Sequence, residues 1–204
     1  MNDTLTEFDR IIDNSNLTMT TLSPALHQEP DQLLLTLGTT TAPAWVECVL
    51  ANFDDFLLDH AACEKKAAGM AISMISHYPD RIELVNAMAE LAVEETMHYR
   101  EVIKLIHARK RTLAHDAKDP YISQLRRMVR TGRNDFFCDR LLMAAVVEAR
   151  GAERFALLGQ QLLEPTYKTF YQALARSEAR HYETFLRLAC CYFPIELLQD
   201  RLNA

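Results

Sequence analysis

Glu95-Thr-Met-His98 and Glu178-Ala-Arg-His181 are two copies of Glu-x-x-His, a spacing that brings both side chains to one face of a helix. Each follows a lone glutamate at nearly the same distance, 31 residues from Glu64 to Glu95 and 30 from Glu148 to Glu178, and each is followed by a tyrosine, Tyr99 and Tyr182. The pattern is an internal duplication of a half-site. Its hold on the fold comes from the neighbouring residues. Leu84, Met88, Leu91, Glu95, His98, Val102 and Leu105 step by three and four, as do Tyr167, Tyr171, Leu174, Glu178, His181, Phe185 and Leu188. Glu64 lies on the stripe Phe53, Leu57, Ala61, Ala68, Ala71, Ile75, and Glu148 on Leu141, Ala145, Ala152, Phe155, Leu162. These are the apolar faces of core-facing helices. Four carboxylates therefore point into one core, where an unpaired charge is costly, and no basic residue shares their stripes. A cation has to sit among them.

The punctuation of the chain predicts where those helices begin and end. Residues 1–30 are polar, with a short amphipathic possibility near Phe8, Ile11 and Ile12, and Pro30-Asp-Gln-Leu-Leu-Leu reads as a short helix. The four core helices are expected over about 44–76, 81–110, 135–163 and 165–192, after an N-terminal extension of residues 1–42, all in a single domain of residues 1–204. Asp80 with Glu83 forms a capping-box pattern, Asp119-Pro120 opens a short helix that Gly132 closes, Asn134 caps the third core helix, and Pro165 and Pro194 open the last two. Short links join the first and second, and the third and fourth, core helices. The link between second and third is long. The expected fold is all-α, a four-helix bundle with one long crossover connection and short extra helices at the N-terminus, in the crossover and at the C-terminus.

Composition narrows the setting. Apolar residues make up 49% and charged residues 25%, with only five glycines, which is ordinary for a globular helical chain. No run of about 18 uncharged apolar residues exists, so no membrane span is expected. The N-terminus has no basic segment followed by an apolar one, and the five cysteines have no metal-type spacing. A cytoplasmic protein with reduced thiols is the expectation.

Two Glu-x-x-His words with two lone glutamates on four helices are the dimetal-carboxylate pattern of ferritin-like bundles. Carboxylates with two imidazoles suit iron or manganese. The words around the ligands are more specific. His60-Ala-Ala-Cys-Glu64-Lys-Lys-Ala-Ala-Gly69-Met, Glu94-Glu95-Thr-Met-His98-Tyr, Val147-Glu148-Ala-Arg-Gly151-Ala-Glu153-Arg154-Phe155 and Ser177-Glu178-Ala-Arg-His181-Tyr resemble the bacterial family of tRNA hydroxylases acting on 2-methylthio-isopentenyl-adenosine, over roughly residues 33–202. The resemblance implies that Glu64, Glu95 and His98 hold one iron and Glu148, Glu178 and His181 the other, with Glu95 and Glu178 bridging. It also implies insertion of one atom of dioxygen into the isopentenyl group of a nucleotide beside the anticodon, with two electrons from an unidentified donor. A ferritin-like iron-oxidising or storage protein without an RNA substrate is the alternative, and a metal-free helical module is disfavoured by the carboxylate stripes.

The net charge of −6 argues against nucleic acid, but its distribution does not. From Arg100 to Arg133 ten lysines and arginines face only Glu101, Asp116 and Asp119. Arg109, Lys110, Arg111, Arg126, Arg127, Arg130 and Arg133 are the candidate contacts to the tRNA anticodon arm. Glu94 and His60 are candidate supports of the metal ligands, Glu94 orienting the histidine across the site. Ser177 occupies the place equivalent to Glu94 in the second half. Glu153 and Arg154 read as an ion-paired helix face, and Trp45, Phe53, Phe56, Phe155, Phe170 and Phe185 as core with a secondary role around a prenyl group.

Overall fold

A computed structural model describes Leu33 and residues 37–203. Its elements are α1 (Pro43–Ala51), α2 (Phe53–His77), α3 (Ile82–Ala108), α4 (Pro120–Met128), α5 (Arg133–Gln161), α6 (Pro165–Tyr192) and α7 (Ile195–Asn203), with no strand among the described residues. The four-residue link after α2 and the three-residue link after α5 make two antiparallel hairpins, and α3 meets α6 where the hairpins join. This is a ferritin-like bundle with one long crossover, residues 109–132, between α3 and α5.

Apolar stripes on the four long helices close into two clusters. One is built on Met74, Leu84, Met88, Phe137, Leu141 and Phe185, the other on Leu57, Val102, Ile106, Leu158, Tyr171 and Leu174. Each such side chain contributes about 1.5–3 kcal/mol on burial. Along every long helix the glutamates and histidines fall between residues of the two clusters, so a polar layer is sandwiched between apolar ones. Gly159 lets α5 and α6 approach, since a Cβ there would lie 2.9 Å from Gln172 Cγ and 3.2 Å from its backbone N.

The crossover is fastened at several points. Asp119 caps α4 by accepting from the backbone N–H of Tyr121 and Ile122. Lys65 pairs with Asp116 at 2.8 Å and Lys66 donates to the Ala117 carbonyl at 2.9 Å, holding the segment against α2. Arg109 pairs with Asp54. Further along, the buried Asp139 of α5 accepts from Arg130 Nη2 at 2.8 Å, the Arg130 backbone N–H at 2.8 Å and Arg201 Nε at 2.9 Å. Burial would raise the Asp139 carboxyl, but these guanidiniums outweigh it and hold the group at about 2. One carboxylate thus joins the crossover, α5 and α7.

Several sequence expectations need correction. The first core helix is broken at Asn52 (φ −128°, ψ 43°), whose side-chain amide and backbone N–H both bond the Cys48 carbonyl. That local bonding competes with helix continuation and separates α1 from α2. The Asp80–Glu83 capping box does not form: Arg81 is the N-cap of α3, with no side-chain cap, and its guanidinium lies 4.0 Å from the centre of the Phe137 ring. Gly132 does not close α4, which ends at Met128. With φ 108° it is the N-cap of α5, and Asn134 falls inside that helix. Glu153 bonds Thr41 and Arg150, whereas Arg154 lies 5.2 Å from the Trp45 ring centre. Phe185 is fully buried in the cluster beside α7, away from the aromatic group around His60. The possible helices near Phe8 and after Pro30 lie outside the described residues, apart from Leu33, which is not helical. Pro165 and Pro194 do open helices as expected, and Glu164 caps α6 through the N–H groups of Thr166 and Tyr167. No helix among the described residues is long and apolar enough to cross a membrane.

Candidate metal centre

The polar layer brings the duplicated residues together. Ligand atoms of Glu64, Glu95, His98 and Glu178 all lie within 4.8 Å of one another, and so do those of Glu95, Glu148, Glu178 and His181. The two groups share Glu95 and Glu178, one from α3 and one from α6. Glu64 of α2 with His98 completes the first group, and Glu148 of α5 with His181 the second. His98 Nδ1 is 3.5 Å from Glu95 and 3.8 Å from Glu64, while His181 Nδ1 is 2.9 Å from Glu95 and 3.8 Å from Glu148. Both imidazoles turn the same nitrogen inward.

Burial makes this arrangement unfavourable without a cation. Five of the six residues are buried, Glu95 with 1% exposure, and only the His98 side chain reaches 18%. Burial and neighbouring carboxylates push Glu178 well above the usual range, and burial with the charges of Glu95 and Glu64 takes Glu148 to about 8. Burial opposes charge on the histidines, yet the carboxylates beside them win and raise His98 to about 10 and His181 to about 9. Glu95 Oε1, Glu178 Oε1, His98 Nδ1 and His181 Nδ1 are buried and make no hydrogen bond. Buried polar atoms without a well-formed hydrogen bond are rare in a folded core, and all four belong to residues of the two candidate ligand groups, although His181 Nδ1 lies 2.9 Å from Glu95 Oε1. Four carboxylates and two imidazoles with free inward lone pairs fit two hard or borderline divalent ions that share the two central carboxylates.

Residues around the ligands fix their orientation. Glu94 lies 3.2 Å from His181 Nε2, so that ring donates outward and keeps Nδ1 free inward. Glu94 also accepts from Ser177 Oγ at 3.3 Å, and Arg180 is 3.7 Å away. His60, one turn before Glu64, is 2.5 Å from Glu64 Oε1 through Nε2 and 3.1 Å from the Tyr171 hydroxyl through Nδ1. Burial raises Glu64, but the bond from His60 outweighs it and leaves the carboxyl well below its ordinary range. Both candidate supports therefore touch a candidate ligand. Two further residues escaped the sequence reading of the site. Tyr171 stood on the correct stripe seven residues before Glu178, so its position was visible though its bond to His60 was not. At Gly151, three residues after Glu148, a Cβ would lie 3.3 Å from Glu178 Oε2, so the missing side chain leaves the shared carboxylate its space.

The candidate RNA contacts divide into engaged and unengaged groups. Arg109 and Arg111 face Asp54, and Arg130 is held by Asp135 and Asp139. Lys110, Arg126, Arg127 and Arg133 are exposed and have no carboxylate partner among the described residues. Burial raises the Cys63 thiol to about 12, which makes it a poor nucleophile, and all five cysteines are unpaired.

Comparison with known proteins adds to this geometry. Residues 28–204 match the family model described as tRNA-(MS[2]IO[6]A)-hydroxylase (MiaE). A Pseudomonas putida protein named tRNA 2-(methylsulfanyl)-N(6)-isopentenyladenosine(37) hydroxylase is 42% identical over 156 residues, 76% of this chain and 76% of that protein. A Salmonella typhimurium protein of the same name is 37% identical over 107 residues, 52% of this chain and 39% of that protein. Among solved structures, a Synechococcus protein described as having aldehyde deformylating oxygenase activity superposes with a TM-score of 0.80 at 37% identity, covering 83% of this chain and 85% of that one.

Proposed function

This chain belongs to the tRNA-(MS[2]IO[6]A)-hydroxylase family, and from that premise we propose that it hydroxylates the isopentenyl side chain of 2-methylthio-isopentenyl-adenosine beside the anticodon of tRNA. Two irons, dioxygen and two electrons from an external donor are part of this reading. The observation that carries it is the pair of four-residue ligand groups sharing Glu95 and Glu178. Glu64 and His98 would complete one iron site, and Glu148 and His181 the other.

Iron held by this set would supply the redox chemistry that places one oxygen atom of dioxygen on a carbon of the isopentenyl group. The protein's own contribution is positional and electrostatic. Glu94 keeps His181 in the tautomer whose Nδ1 lone pair points inward. His60, itself held by Tyr171, fixes one oxygen of Glu64 and leaves the other for the centre. The apolar clusters on both sides keep bulk water from the polar layer. Phe56, Phe155 and Tyr171 pack around His60, which meets Glu64, so the rings on this side of the centre are apolar, as a five-carbon prenyl chain would require. The charged RNA backbone stays outside, where the exposed arginines of the crossover meet phosphates.

The test is turnover by iron-loaded protein given reductant and air. With tRNA carrying the prenylated nucleotide, digestion and nucleoside mass spectrometry should find a product about 16 mass units heavier, the addition of one oxygen. A long-chain aldehyde offered in place of tRNA should not be consumed. Turnover of the aldehyde with unaltered tRNA would overturn the RNA reading and favour the chemistry named for the Synechococcus neighbour.

A further inference from the structure

Away from the polar layer, where the turn after α2 meets the start of α5, His77, Tyr78, Gly132, Arg133 and Phe136 line an open cleft of about 360 Å³. Phe136 keeps 39% of its surface exposed, although the adjacent Phe137 is fully buried. Arg140 lies with its guanidinium 5.7 Å from the centre of the Phe136 ring. Burial disfavours the Arg140 charge, and Arg126 nearby disfavours it further. None of Arg126, Arg133 and Arg140 has a carboxylate within salt-bridge reach among the described residues. Asp139, next to Arg140 in sequence, is held by Arg130 and Arg201, and Asp135, whose carboxylate reaches the cleft at Gly132, is paired with Arg130 at 3.2 Å. His77 donates through Nδ1 to the Ser73 carbonyl at 2.7 Å, which leaves Nε2 as an acceptor.

Guanidiniums gathered without a salt-bridge partner of their own repel one another, and an exposed ring beside them adds nothing to the core. The same set is what a nucleotide requires: a face for the base, guanidiniums for the phosphate, and a side-chain acceptor for a base or ribose donor. We propose that this cleft is a nucleotide subsite for single-stranded RNA, in which Phe136 stacks a base and Arg126, Arg133 and Arg140 hold the phosphates beside it. The inference rests on the RNA reading above. Thirteen residues of α2 separate Glu64 from His77, about 20 Å at the rise of a helix. The base held here is therefore a neighbour on the same strand and not the nucleotide that reacts. The subsite sets the register of the loop so that the prenylated base reaches the polar layer.

Affinity of the metal-loaded protein for an anticodon stem-loop, measured by fluorescence anisotropy across a salt series, tests this. Phe136→Leu keeps an apolar side chain but loses the stacking face, and should weaken binding roughly tenfold with the salt slope unchanged. Arg133→Ala should weaken binding and flatten the slope by about 0.7, the value of one phosphate contact on a single strand. Metal content and melting temperature of both variants should match the parent. If the parent binds the stem-loop and both variants keep its affinity and slope, the subsite is overturned while the RNA reading stands. A parent that binds no stem-loop at any salt removes the RNA reading and the subsite with it.

Discussion

Glu94 and Ser177 hold equivalent places in the two halves of the duplication, yet both serve the same imidazole. Glu94 accepts from His181 and from Ser177, and among the described residues no acid does the same for His98. His60 likewise supports Glu64, whereas the equivalent place four residues before Glu148 is Ala144. The duplicated candidate ligands are thus held by unduplicated neighbours, and the two ligand groups differ in what restrains them. Removing the Glu94 carboxylate frees the His181 ring to rotate or change tautomer. Glu94→Ala should lower affinity for one of the two ions by about 10- to 100-fold and leave the other nearly unchanged, read by competition with a chelator. Equal weakening of both ions, or of neither, would contradict the assignment. At this scale the clustering of the candidate ligands was legible in the sequence because steps of three and four put them on apolar faces. Gly151 and the Tyr171–His60 bond were not legible, since each depends on how one helix approaches another and not on spacing within either.

Helices differ in how far their limits can be read locally. Pro120 and Pro165 sit at first-turn positions with capping carboxylates just before them, and their helices begin where the sequence expects. Asp80 and Asn134 carried the same kind of signal and were overridden. Arg81, whose guanidinium stacks on Phe137 and Tyr192, becomes the N-cap of α3, and the left-handed Gly132 sets the entry to α5. The helix breaks at Asn52 through its bonds to the Cys48 carbonyl, and α1 then packs against both α2 and α5, a contact no local pattern announces. The two mid-helix glycines that touch no ligand show how packing decides the sign of one substitution. A Cβ at Gly69 meets nothing within 4 Å, so Gly69→Ala should stabilise the fold by up to about 1 kcal/mol through helix propensity alone. At Gly159 the same change meets the Gln172 backbone and should destabilise by about 1–3 kcal/mol despite that gain. Thermal or denaturant melting compares the two, and shifts of the same sign would contradict the close approach of α5 and α6.

For the whole molecule, the duplication, the short links and the long basic crossover were enough to derive a bundle with one crossover and a charged polar layer at its centre. Charge was legible only in part. The excess of arginines between α3 and α5 was visible, but not that Arg109 and Arg130 would pair with Asp54, Asp135 and Asp139, leaving Arg126, Arg127 and Arg133 without a carboxylate partner among the described residues. Exposure of a phenylalanine beside those arginines also needed the folded chain. The polar layer remains the centre of the account, because four buried carboxylates without a cation would destabilise the bundle they sit in. Counting metal tests this most directly. Apo protein reloaded with ferrous iron should hold two ions per chain, one for each four-residue group. Glu64→Ala and Glu148→Ala should each reduce this to about one, and the loaded parent should melt above its apo form. A parent that retains one ion or none, or variants that both keep two, would contradict the claim that the two halves of the duplication form a single shared centre.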